Sequence, residues 1–315
     1  MTAIGAGGRR RPPTSRRPSR LALILLGACL LLAGGRAALG QYRGEVEVEA
    51  VVAPVTVRTA AGRIVTNLQP SRFHLYVDGM EVPIHDLELE SQLPLSLGFV
   101  VDTSGSMGGR KIASCQALVN AFLDQRRPED EVALWTFADD RVLERFPFGM
   151  PWYLLPRILE TLRPWSTTAL YDMIQRVPDV MAEAVHPRRA VVLLTDGVDN
   201  ASRLSAGEAT DIARGLTTPI YALGVEPPPG TGGHEGPSYE AILDLLADVS
   251  GGHYRRIPDT GDMPEAVRTL LEELSSRYIL TFSTSGIGIR KWRTVDVRVK
   301  GYEVTTRKGY TGTLP

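Results

Sequence analysis

The segment Val100-Val101-Asp102-Thr103-Ser104-Gly105-Ser106-Met107 carries the most informative oxygen chemistry in the chain. An acid at the end of an apolar run is followed, at two-residue spacing, by two serines in a glycine-containing loop that leads into a helical pattern. Carboxylate and hydroxyl oxygens are hard donors that suit Mg2+ or Mn2+ in octahedral geometry, with Ca2+ also compatible, because a sequence gives ligand types and not bond lengths. A second acid, Asp196, follows another apolar run in Leu194-Thr195-Asp196-Gly197. Taken alone, Asp102 would serve equally as a helix cap, since Asp, Ser and Thr all satisfy the free N–H groups at helix starts. The segment also lacks the first glycine of a nucleophile elbow, which makes Ser104 a poor hydrolase nucleophile.

The surrounding elements must position these residues. Leu95 to Val101 and Ala190 to Thr195 are continuous apolar runs, as expected of strands buried on both faces of a parallel sheet. Between and after them, strand-like runs (Glu131 to Phe137, Pro219 to Val225, His253 to Ile257) alternate with helical patterns beginning at Ile112 and covering Tyr153 to Leu162, Ala169 to Ala184, Ser205 to Gly215, Tyr239 to Val249 and Pro264 to Ser276. Such alternation implies an α/β fold with a doubly wound parallel sheet and helices on both faces. Both ends of the exported chain read as β: Glu45 to Arg58 alternates small or branched residues with charged ones, and Asp78-Gly79 marks a hairpin between Phe73 to Val77 and Glu81 to Ile84. Tyr278 to Phe282 and Trp292 to Lys300 continue the pattern. These segments are expected to form one small β-sandwich with the α/β domain inserted in it, giving the division 1–40, 41–94, 95–276 and 277–315.

Three ordered segments, Asp102-x-Ser104-x-Ser106, Thr167-Thr168-Ala169-Leu170-Tyr171-Asp172 and Leu194-Thr195-Asp196-Gly197, resemble the metal-ion-dependent adhesion site of the von Willebrand factor type A family. The resemblance implies that Thr168 and Asp196 join Asp102, Ser104 and Ser106 in holding the cation. The serines and threonine would touch it and the aspartates would act directly or through water. It also implies the strand order 3-2-1-4-5-6, in which Asp102 and Asp196 end the two strands flanking the crevice where open sheets bind ligands. Neutral hydroxyls would leave the ion electrophilic, so the implied partner is a protein or matrix ligand with an exposed carboxylate. The family often has glycine immediately before the threonine. Thr167 stands there instead, which questions the loop's backbone. Asp172 reads as a positioning partner or a helical surface acid; Asp139, Asp140, Asp199 and Asn200 read as loop residues on the same side. With the flanking Val55-Thr56-Val57-Arg58 and Arg307-Lys308-Gly309-Tyr310, the chain further resembles the exported "VWFA-related" proteins found mainly in Acidobacteria.

Composition narrows the setting. All seven basic residues before position 41 are arginines and no acid accompanies them; without them 28 basic face 36 acidic residues, a net of −8. A body so acidic is a poor candidate for nucleic acid or an anionic membrane surface. The Arg-rich start, the apolar run Leu21 to Ala33 and Ala38-Leu39-Gly40 read as a signal peptide cleaved before Gln41, which makes the protein periplasmic, envelope-associated or secreted. An uncleaved anchor or a lipidated Cys29 are the two routes left to a membrane. Cys115 would be the one cysteine of the mature chain, a buried apolar residue that cannot pair internally. Pro227 to Pro237 reads as an exposed loop and the expected first site of proteolysis. No small-molecule substrate is indicated. Beside the adhesion module stand two other readings: an envelope assembly or scaffold protein whose metal site is structural and whose β region makes the contacts, and a metal-dependent hydrolase. For the last, Ser104 occupies the place where a haloacid dehalogenase-type phosphatase needs its second aspartate.

Overall fold

The computed structural model describes residues 50–90, 93–226, 238–257, 263–283 and 292–310. The leader, Cys29 and the loop Pro227 to Pro237 lie outside the described residues. A six-stranded sheet organises the centre of the chain. Its strands are β5 (Leu95–Asp102), β6 (Glu131–Ala138), β7 (Arg141–Phe146), β8 (Arg188–Thr195), β9 (Ile220–Val225) and β10 (Tyr254–Ile257), and their order across the sheet is β10-β9-β8-β5-β6-β7. Counted from β5, this is the 3-2-1-4-5-6 order. β5 is fully buried along its length because it lies between β6 and β8 and is covered on both faces. Period-two alternation divides its side chains: Leu97, Phe99 and Val101 enter one core with Leu118, Phe122, Val267 and Leu274, whereas Val100 enters the other with Leu170, Leu193 and Leu246.

Two elements differ from the sequence reading. The sheet is mixed, because β7 runs antiparallel to β6 at one edge. Its residues are mostly exposed, so it shows none of the apolar continuity that marks the central strands. The pattern from Ala169 to Ala184 does not form one helix. It breaks into Leu170–Ile174 and Val177–Val180, with Pro178 in the first turn of the second piece, where its missing N–H and fixed φ are tolerated.

The flanking strands form two four-stranded antiparallel sheets. One has the order β13-β1-β11-β4, with β1 (Ala50–Arg58), β4 (Ile84–Leu89), β11 (Tyr278–Ser283) and β13 (Glu303–Thr306). The other is β14-β12-β2-β3, with β2 (Phe73–Val77), β3 (Met80–Val82), β12 (Arg293–Val299) and β14 (Gly309–Tyr310). A single core joins them, in which Val55, Leu280 and Phe282 pack with Leu75, Val77 and Val297. Asp78 and Gly79 both have positive φ, as the tight hairpin between β2 and β3 requires. After Pro83 the chain passes from one sheet to the other. Strands from before and after the central sheet therefore share both small sheets, which pair β1 with β11 and β2 with β12.

Candidate metal centre

Asp102 is the last residue of β5, and β5 is held in register with Thr136 and Phe137 of β6 on one side and Leu194 of β8 on the other. Its carboxylate is completely buried. One oxygen accepts the Ser104 N–H at 2.8 Å, and the other accepts the Thr195 hydroxyl at 2.6 Å. Thr195 in turn accepts the Gly197 N–H at 3.0 Å, so the ends of β5 and β8 are tied through one hydroxyl. Burial pushes the Asp102 pKa up to about 6; the hydrogen bonds from Thr195 and Ser104 oppose that rise, and the nearby Asp196 adds to it.

Asp196, also fully buried, accepts the Val198 N–H at 3.2 Å and the Lys111 ammonium at 2.8 Å. Lys111 reaches it from the first turn of helix α1 (Arg110–Gln125). Ser104 is buried and Ser106 exposed, and their hydroxyl oxygens are 3.1 Å apart. The third loop arrives through backbone contacts. Gly105 donates its N–H to the Ser166 carbonyl, Trp165 donates to the Thr103 carbonyl, and Asn200 and Ala201 both donate to the Thr168 carbonyl. The Asn200 side chain accepts the Thr168 N–H at 2.8 Å.

The loops carrying Asp102, Ser104 and Ser106, Thr168, and Asp196 thus meet at the carboxyl ends of the strands. Thr168 is 1% exposed, and among the described residues its hydroxyl has no hydrogen-bond partner. A buried hydroxyl without a partner is costly, and such groups are few in folded proteins. An orphaned hydroxyl on a loop hydrogen-bonded to the Asp102 loop, taken with the two buried carboxylates and the two serine hydroxyls, is a set of donor types that fits a hard divalent cation. Among the described residues no three His, Cys, Asp or Glu side chains gather, so hydroxyls would have to complete any coordination here.

The other candidate residues hold the loops through hydrogen bonds. Asp172 accepts the N–H groups of Arg203 and Leu204, Asp199 accepts from the Ser202 hydroxyl and the Tyr171 N–H, and Asn200 positions Thr168. Asp139 has positive φ in the turn between β6 and β7, and the Thr167 hydroxyl donates to it at 3.3 Å. The substitution of Thr167 for the usual glycine is accommodated because the left-handed residue of this loop is Ser166, one position earlier. Thr195 and Lys111 escaped the sequence reading. A threonine in a buried run reads as a strand former, and a lysine opening a helix reads as solvated.

No curated protein matches the chain. Among solved structures it is similar to an aerotolerance-related membrane protein from Bacteroides fragilis, with 20% identity, a TM-score of 0.46, and 57% of this chain and 98% of that chain covered. It is also similar to the vWF domain of the type V pili tip protein Mfa5 from Porphyromonas gingivalis, at 13% identity and a TM-score of 0.43, covering 58% and 96%. A von Willebrand factor type A protein from Catenulispora acidiphila covers 84% of this chain and 72% of its own, at 12% identity and a TM-score of 0.46. Residues 97–198, which contain all five candidate residues, match the family model of the von Willebrand factor type A domain, and the chain is therefore a protein with a von Willebrand factor type A domain.

Proposed function

We propose that this protein is an exported adhesion module that binds a partner through Mg2+ held by Asp102, Ser104, Ser106, Thr168 and Asp196, with Mn2+ or Ca2+ as substitutes. The observation that carries the reading is the buried hydroxyl of Thr168, which has no hydrogen-bond partner among the described residues and sits on a loop tied by backbone hydrogen bonds to the loop of the buried Asp102. When bound, the ion supplies a hard electrophilic centre for a carboxylate oxygen of a protein or matrix ligand. The chain's own residues prepare the site. Thr195 and the Ser104 N–H fix the Asp102 carboxylate, Asn200 and the Thr168 carbonyl lock two loops together, and Ser106 keeps its side exposed to a partner. We read the module as a binder and not an enzyme, because Ser104 is paired with Ser106 and not with a basic side chain. The exported setting rests on the Arg-rich leader and the apolar run that follows it.

Asp102→Ala tests this directly. It should abolish Mg2+-dependent capture of the partner from envelope extract and lower Mg2+ affinity by calorimetry, with unfolding still cooperative. Ser104→Ala and Thr168→Ala should weaken binding less, since water replaces a neutral oxygen in part. Partner binding by Asp102→Ala at parent strength in Mg2+ would rule the adhesion reading out.

One observation favours the second reading, an envelope scaffold whose centre is structural. The Lys111 ammonium already neutralises Asp196 at 2.8 Å, so the loops have an internal counter-charge of their own. Partner capture that survives chelation would support it.

A further inference from the structure

At the opposite end of the central sheet from Asp102, a cleft of about 720 Å³ opens between β1 and β11 of the sandwich and the residues preceding β8 and β9. Its volume lies in the range of small-ligand sites. The walls mix apolar side chains, among them Val52, Ile279 and Pro219, with the hydroxyl residues Thr217 and Thr218. Among the described residues the charge in the cleft is unbalanced, since Arg189, Arg277 and Arg307 line it with Glu90 as the one acid. Glu90 is committed to Arg277, which it holds through two hydrogen bonds of 2.7 and 3.1 Å. Arg189 donates to the carbonyls of His186 and Ala184, which fixes its guanidinium in place.

Arg307 is different. It is 7% exposed, and among the described residues its buried Nε has no hydrogen-bond partner and no carboxylate pairs with it. Its guanidinium carbon lies 5.6 Å from the centre of the Tyr310 ring. Burial lowers the pKa of this guanidinium, and the Tyr310 phenol opposes that shift. A buried charge without a counter-ion costs several kcal/mol in an isolated chain, and a ligand able to pair with it recovers that cost. A planar guanidinium fork matches a carboxylate in two parallel hydrogen bonds.

We propose that this cleft is a second binding site, which accepts a carboxylate carried on an apolar body, with Arg307 as its anion-binding residue and Val52, Ile279 and Pro219 as the apolar walls. The site does not depend on the metal centre, which lies at the other ends of the strands. The carboxylate could belong to a free organic acid or to the C-terminus of a peptide, and the two sources are separable.

The full chain, in chelator to silence the metal centre, is titrated by calorimetry with hexanoate and with acetyl-glycyl-leucine, each against its amide. Saturable binding of either acid, at least tenfold tighter than the amide, is expected. A preference for hexanoate assigns free acids, and a preference for the dipeptide assigns chain termini. Arg307→Met should lose that binding at least tenfold while melting no lower than the parent, because it removes an unpaired buried charge. The Arg307 Nε–H resonance of the unmodified protein should move along the same titration, a readout that stands even if the variant fails to fold. Equal binding of acid and amide, unchanged affinity in Arg307→Met, or an unmoved Arg307 resonance would overturn the assignment.

Discussion

The Asp102 carboxylate is buried at a cost, and the direction of its pKa shift gives that cost a pH dependence. With the folded pKa near 6 and the ordinary value at 3.8, the folded protein binds more protons than the unfolded one between those limits. Without metal, the penalty for the charged carboxylate is therefore fully present above about pH 6, declines as pH falls, and is gone below about pH 4. The shift corresponds to roughly 3 kcal/mol at most. Urea unfolding in chelator should show the parent gaining stability relative to Asp102→Asn as the pH is lowered across this window, and parallel profiles for the two proteins would show that the carboxylate is not desolvated. Mg2+ affinity should fall over the same range, since the cation and the proton compete for one oxygen. At this scale the sequence was readable where residue type and chemistry coincide. An acid and two serines at alternate positions after a buried strand are legible; the Thr195 hydroxyl and the Lys111 ammonium are not, because what they do depends on which strand and which helix end lie beside them.

Elements were legible in proportion to their burial. β5 and β8, covered on both faces, announce themselves as apolar runs, and Ser205 with Glu208 forms a full capping box at the start of helix α5 (Ala206–Gly215), where the helical pattern begins. Edge strand β7 and the short β13 bury few side chains and carry no periodic signal. Less visible still are positions where an element needs the absence of a side chain. Helix α6 (Tyr239–Ser250) ends in a left-handed Gly251, and the next residue, Gly252, brings its backbone against β9. A Cβ on Gly252 would lie 2.0 Å from the Ile220 carbonyl oxygen, and that oxygen belongs to a strand buried along its whole length. Neither partner can yield without breaking the α6 to β9 packing. Gly252→Ala should destabilise by about 3 kcal/mol, the upper end of the usual overpacking cost, read as a lower urea midpoint with an unchanged slope. A loss under about 1 kcal/mol would mean that the helix end moves freely relative to β9.

The whole molecule is shaped by where the chain enters and leaves the central sheet. β5 starts at Leu95 and the last helix of this region, α7 (Met263–Ser275), ends at Ser275, and the crossings are fastened by charged side chains that the sequence does not single out. Arg188, at the start of β8, donates to the Leu93 carbonyl just before β5 and to the Ser275 hydroxyl at the end of the leaving helix. Glu90 and Arg277, 4% and 2% exposed, face each other across the same junction in a two-pronged ion pair, and the Glu90 N–H also donates to the Arg277 carbonyl. Their separation of 187 positions in sequence is why no local pattern betrays them. In a buried pair, removal of one partner leaves an uncompensated charge in a low-dielectric interior, whereas removal of both leaves none. Glu90→Gln and Arg277→Met should therefore each cost about 3–5 kcal/mol, while the double variant Glu90→Met with Arg277→Met should recover most of that loss. The location adds a second readout. Because the pair closes the β4–β11 ladder at the edge of the sandwich, beside Arg188 of β8 and Tyr221 of β9, each single variant should split one calorimetric transition into two, as the two parts begin to melt separately, and the double variant should restore one. Additive losses in the double variant, or a single transition in all three, would mean that the backbone and the shared hydrophobic contacts couple the two parts without help from the ion pair.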